Sequence, residues 1–347
     1  MYEYIVRKVE YLGKSIILQT NDMIMFYNLK RLYDGYIRFE KCNTTELVGR
    51  MYSFKILKDR TMYNKYFKKL LHNTKLNQKD LSVSIRRNNI IIVDRIKKEL
   101  CIIYDEYADE KLKYIEEILF GIYGRMFEND GYVFFHGVCL AKEKKAIIIF
   151  SEDSYMEQIL ICLLQHSFDF VSYRSFGIKD QKCIAIPSRV KVDLKKCNVN
   201  GIENRYIEKM RETETYFYEI GYKDFLNNQI KEIFNMTIYD LQKIYKVNFF
   251  CEIEIEKILN FQNISGYRED TVEKMSKIEL YNKLTENRID GFCNSLAYLR
   301  QLIPEMVYKV SLDDVIDAQK VSKIKLIKSD FENTKMIDYV NKIITKI

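Results

Sequence analysis

Apolar and polar positions along the chain change period several times, and each change marks an element. In the first hundred residues the pattern is mostly two-fold. Tyr2, Tyr4 and Val6 recur at every second position, and residues 14–19 follow after the turn at Gly13. Residues 82–85 and 90–93 flank Arg87-Asn88-Asn89, which predicts a hairpin, and residues 101–104 continue the strand pattern. Within this stretch Tyr63, Tyr66, Phe67, Leu70 and Leu71 share one face of a predicted helix.

The period then lengthens. Leu112, Ile115, Leu119, Ile122 and Met126 predict an amphipathic helix over 109–127, stopped near Asn129-Asp130-Gly131. A strand at 132–135 follows. Then come a lysine-rich turn at Lys142-Glu143-Lys144-Lys145 and a branched run at 146–150, short enough for a strand buried on both faces. A helix with Ile159, Leu160, Leu163 and Leu164 inward comes next. Strands at 168–172 and 183–186 follow, with Pro187 and residues 190–192 extending the sheet. Helical spacing dominates from 201 to 310, over 230–245 and over 271–302 with a break near Gly291. Residues 249–255 alternate like a strand between them. Residues 307–310 and 324–327 read as strands and 333–344 as a closing helix. The expectation is an α/β protein with a mixed β-sheet. It has a small β-rich N-terminal domain (1–108), a core (109–200) and a mostly helical part (201–347) that completes or extends the core.

Composition narrows the class. At 347 residues and 47% hydrophobic, the chain can bury a full core, in two domains or one with an extension. No apolar run has the length of a bilayer span, and the opening MYEYIVRKVE lacks the apolar stretch of a signal peptide, so a cytoplasmic protein is expected. The eight cysteines are scattered with no C-x-x-C pair, which suits reduced thiols, and three histidines argue against a dedicated metal site. The net charge of +7 is uneven: residues 1–100 carry 21 Lys and Arg against 10 Asp and Glu, the remainder 35 against 39. A basic first third suits an acidic partner, or is simply a solvated surface. Nucleic acid is not the expected partner, because the basic residues form no long block and no recognised motif.

The chemistry, if any, lies between His136 and Arg174. Phe135-His136-Gly137-Val138 precedes the buried run, and Ser151-Glu152-Asp153-Ser154-Tyr155-Met156-Glu157-Gln158 follows it. The layout is that of a phosphate-binding loop, G-x-x-x-x-G-K-[ST]. The glycine positions hold Ser151 and Met156, the lysine position Glu157 and the hydroxyl position Gln158. Met156 puts a side chain where backbone N–H groups would approach phosphate. Glu157 reverses a charge: a unit pair at ~4 Å is worth on the order of 4 kcal/mol near a surface, and reversal costs roughly twice that. Gln158 removes the hydroxyl that would hold Mg²⁺.

In order and spacing, FHGVCL, KKAIIIF, SEDSYMEQILICLL and FDFVSYRS resemble the core of the bacterial HPr kinase/phosphorylase family, which shares the nucleotide-binding fold of phosphoenolpyruvate carboxykinase. The resemblance spans roughly residues 109–192. It implies ATP and Mg²⁺ as cofactors and a pair of aspartates after the next strand, where this chain has Tyr173 and Arg174. With the glycines, the cation, the metal hydroxyl and the acidic pair all replaced, the expectation is a catalytically silent kinase-like protein without a cofactor. It would bind a peptide or protein as a scaffold subunit, in the maturation of a ribosomally made peptide, as a homo-oligomer or part of a larger assembly. The alternative is a divergent ATP-dependent serine kinase using His136, with Arg174, Arg189 or Lys142, Lys144 and Lys145 as substitute cations. Asp153 is expected to cap the helix. His136 either lines a cleft or is a hydrogen-bonded structural residue at a strand end.

Overall fold

The computed structural model describes residues 4–33, 35–42, 51–72, 76–77, 80–106, 109–187, 189–193, 233–264, 271–289, 297–304 and 321–327. The expected strand at 307–310, the closing helix at 333–344 and the break near Gly291 lie outside them. The chain divides into two compact units. Among the described residues one takes in those up to Asp130 together with 297–304, the other 131–289 and 321–327.

The first unit is built on an eight-stranded mixed sheet. Its elements in chain order are β1 (Ile5–Tyr11), β2 (Lys14–Thr20), α1 (Met23–Tyr33), β3 (Arg38–Lys41), β4 (Ser53–Lys58), α2 (Arg60–His72), β5 (Leu76–Asn77), β6 (Leu81–Arg86), β7 (Asn89–Asp94), β8 (Glu99–Tyr104) and α3 (Asp109–Asn129). The strand order is β3-β1-β2-β4-β8-β7-β6-β5, with β2, β4 and β8 parallel and the rest antiparallel. The predicted hairpin turns at Arg87-Asn88, both left-handed (φ 46° and 55°), the geometry that matches strand twist. Helix α3 ends where Gly131 takes φ +93°.

Helix α1 was not expected. Its buried residues Met25, Phe26, Leu29, Leu32 and Tyr33 recur with helical spacing. Buried Asp22 starts it, accepting the Met25 N–H at 3.0 Å and the Tyr104 hydroxyl at 2.8 Å. Tyr33 packs edge-on against Phe120 of α3 and donates to Glu116. Helix α2 closes a second cluster with Leu57, Val83, Ile90, Cys101 and Ile103.

The second unit holds a nine-stranded mixed sheet. In chain order come β9 (Val133–Phe135), β10 (Val138–Lys142), β11 (Lys145–Phe150), α4 (Asp153–Gln165), β12 (Asp169–Tyr173), β13 (Phe176–Lys179), β14 (Lys182–Ala185), β15 (Val190–Asp193), β16 (Ile233–Met236), α5 (Ile238–Tyr245), β17 (Glu252–Ile264), β18 (Thr271–Lys274) and α6 (Lys277–Asn287). A short helix of the first unit, α7 (Ala297–Leu302), precedes the last strand, β19 (Val321–Ile327). The order is β12-β10-β11-β17-β14-β13-β9, with β19 on β17 and β18 on β19. Strand β17 runs parallel to β11 and β19 and antiparallel to β14. The core on one side of the sheet joins Phe135, Cys139, Ile148, Phe150, Phe176, Ile258, Leu280 and Leu284. The mixed α/β architecture is the one expected.

Several elements depart from the sequence reading. Residues 190–192 do not extend the main sheet; β15 pairs with β16 as a separate ribbon. The helix expected over 230–245 begins only at Ile238, set by a capping box in which Thr237 and Asp240 bond each other's backbone. Residues 233–236 before it are a strand. Likewise Ser276 and Glu279 cap α6, and residues 271–274 before it pair with β19. In both cases branched residues ahead of a strong cap belong to a strand. Strand β17 starts at Glu252 and runs on to Ile264; residues 258–260 lie between two parallel neighbours, where the alternation that marks a half-exposed strand is lost.

Candidate functional site

The buried strand β11 ends at Phe150 and α4 begins at Asp153, so two residues, Ser151 and Glu152, join them. The Glu152 carbonyl accepts the N–H groups of Tyr155 (3.0 Å) and Met156 (3.3 Å), starting the helix at once. Met156, Glu157 and Gln158 therefore lie in the first turns of α4, not in a loop. Met156 is 2% exposed and turned inward, while Glu152 and Asp153 are exposed and Tyr155, Glu157 and Gln158 half-buried. Ser154 lies in the same first turn. Ser151 is buried, and its hydroxyl has no hydrogen-bond partner among the described residues. The helix cap is Glu152, without a side-chain capping bond. Asp153 is not the cap: it is the first helical residue, and its carboxylate is drawn away to His136.

His136 follows β9 and is tied on three sides. Its backbone N–H donates to the Asn287 carbonyl at the end of α6 (2.7 Å). Ring Nδ1 faces the Arg174 carbonyl at 2.8 Å and Nε2 faces Asp153 Oδ1 at 2.9 Å. Both partners are acceptors. Both ring nitrogens are thus engaged with groups of the protein itself.

Arg174 closes the same corner through its backbone. Its N–H donates to the Gly137 carbonyl at 2.7 Å and its φ is +71°. Its guanidinium lies over the Tyr173 ring at 5.3 Å. Burial raises the Tyr173 hydroxyl pKa, Arg174 partly offsets this, and Glu157 and Asp153 add to the rise. Gly137 is required by space: a Cβ there would stand 2.8 Å from the Ile149 carbonyl oxygen and 3.2 Å from both Phe150 and Phe176.

The structure thus brings His136, Asp153, Tyr173 and Arg174 together at the start of α4, with Glu157 one turn further on. It does not bring the lysines there. Lys142, Lys144 and Lys145 stand at the β10–β11 turn, at the opposite end of β11 from Ser151. Six strand residues separate the two ends, roughly 17 Å. Lys145 is engaged with Glu254 and Lys142 lies over the Phe168 ring. Arg189 directly precedes β15, a strand that lies against α4.

One residue was not singled out from sequence. Asn260 of β17 is the strand partner of Phe150, the last residue before Ser151. It is 1% exposed, and neither its amide oxygen nor its nitrogen has a partner among the described residues. An asparagine in an apolar run was the available signal.

No family model matches the chain, and no curated protein does. Among solved structures the chain is similar to the Hpr(Ser) kinase/phosphatase from Coxiella burnetii, over 61% of this chain and 94% of that one, at 8% identity and a TM-score of 0.29. A score that low is a loose likeness in the path of the chain and says nothing of chemistry. Among the described residues no helix is long and apolar enough to cross a membrane.

Proposed function

We propose that this protein is a catalytically silent, HPr-kinase-like binding or scaffold subunit that recognises a peptide or protein partner. The observation that carries the silent half is the two-residue link between β11 and α4. A phosphate cradle needs a loop of backbone N–H groups curled round the anion. Here those positions are helical, and the first turns present Asp153 and Glu157. Phosphoryl transfer depends on positioning and on charge stabilisation. The nitrogen-bearing side chains at this corner already face the protein's own groups: His136 faces Asp153, and the Arg174 guanidinium covers Tyr173. The binding half is supported by the basic first hundred residues, and a place beside ribosomally made peptides rests on the sequence resemblance.

Thermal unfolding with and without ATP-Mg²⁺ tests the reading. A ligand at 100 times its dissociation constant adds about 2.7 kcal/mol. The expected result is no shift at millimolar nucleotide. A clear upward shift, accompanied by phosphorylation of a peptide serine, overturns it in favour of a divergent kinase.

A further inference from the structure

The exposed face of α1 is divided along its length. Met23 (48% exposed), Ile24 (40%) and Tyr27 (57%) occupy its first half. Lys30 and Arg31 continue the same face through the last turn. These positions are spaced three, four and seven apart, so the five side chains form one stripe. The opposite face, Met25, Phe26, Leu29, Leu32 and Tyr33, is buried in the unit's core. Exposed apolar side chains scattered singly are ordinary. Here three of the eight large exposed hydrophobics among the described residues fall within five positions of one helix.

The charge on the helix itself has one sign. Helix α1 contains no acidic residue. Asp22, just before it, is buried and committed to the Met25 N–H and the Tyr104 hydroxyl. Next to Asp22, the Asn21 side chain bridges to the backbone of Lys58, at the end of β4. The apolar half of the stripe is therefore followed along the helix by Lys30 and Arg31, in a stretch of chain that is itself strongly basic.

We propose that this face of α1 docks an acidic peptide segment carrying bulky apolar side chains. The apolar groups seat on Met23, Ile24 and Tyr27, and the carboxylates meet Lys30 and Arg31. This deepens the peptide-binding reading above and rests on it. Tyr27 is the anchor, since an aromatic ring offers the most contact area for the least lost side-chain freedom. The basic rim sets the sign of the partner and its rate of encounter.

A random-sequence peptide library displayed against the full chain tests this. The enriched pool is expected to be acidic and rich in Leu, Ile or Phe. The double variant Ile24→Ser/Tyr27→Ser should weaken selected peptides by about tenfold or more. The reversal Lys30→Glu/Arg31→Glu should weaken them comparably at low salt, with the difference shrinking as salt shortens the reach of the charges. These side chains are exposed, so circular dichroism is expected to show every variant folded. Binders that ignore both variants overturn the surface assignment and leave the peptide-binding reading standing. An empty pool overturns both. A random single-stranded oligonucleotide that binds in place of peptide, and loses binding in the Lys30→Glu/Arg31→Glu variant, assigns the face to nucleic acid and also overturns the proposal.

Discussion

Replacing Asn260 by leucine should make the protein more stable. Asn260 sits on β17 between β11 and β19, with Phe150 and Lys323 as its strand partners. It is 1% exposed and both polar atoms of its amide lack partners among the described residues. A buried donor or acceptor left unpaired costs about 1–3 kcal/mol, so the amide as a whole costs roughly 2–6. Leucine keeps the branching but is bulkier, and overfilling a packed core costs about 1–3 kcal/mol. Taking the middle of both ranges, the balance is a gain of about 2 kcal/mol, or several degrees in Tm for a domain of this size. Asn260→Asp is the matching control: an unpaired buried carboxylate should cost about 3 kcal/mol or more. Urea unfolding is to be followed by far-ultraviolet circular dichroism, since the chain has no tryptophan. If Asn260→Leu is destabilised by more than about 1 kcal/mol while Asn260→Asp is tolerated, the amide has a partner in solution and the reasoning fails.

Two further expectations follow from the same packing. Gly137→Ala forces a methyl to within 2.8 Å of the Ile149 carbonyl, against backbone that cannot yield like a side chain. It should cost about 1–3 kcal/mol in the same urea assay, and an unchanged midpoint would show that this corner is looser than it looks. Burial pushes the thiols of Cys101 and Cys162 up to about 12 from an ordinary value near 9. Because the unfolded chain gives up these protons first, the stability they contribute is whole below pH 9 and falls as pH rises from 9 towards 12. Replacing both by alanine should flatten that alkaline decline in thermal unfolding curves. A decline equally steep without them would assign it elsewhere.

Much of this arrangement was readable from the chain. Helices α2 and α3 announced themselves by helical spacing, and strand β11 by a short unbroken branched run. Helix α1 did not, because its eleven residues sit among strands and its exposed face begins with Met23, Ile24 and Tyr27, which blur the polar side of the pattern. The β13–β14 hairpin was missed for a different reason. Its turn, Asp180-Gln181, takes left-handed backbone without a glycine or asparagine to mark it. At the site, the stretch from His136 to Arg174 could be picked out from spacing, but the early start of α4 could not. Nothing in Ser151-Glu152-Asp153 signals that the connection has only two residues. The pairing of His136 with Asp153 depends on where that helix begins, so it was equally hidden.

The position of β17 bears on how the chain comes off the ribosome. It is threaded between β11 and β14, both of which are translated well before it. Until Glu252–Ile264 emerges, those two strands have nothing along the sides it will fill, and rows of unpaired N–H and C=O groups stand ready to join a neighbouring nascent chain. Slow synthesis through the intervening segment prolongs that interval, so yield in the cell should depend on chaperone supply more than on the final stability of the sheet.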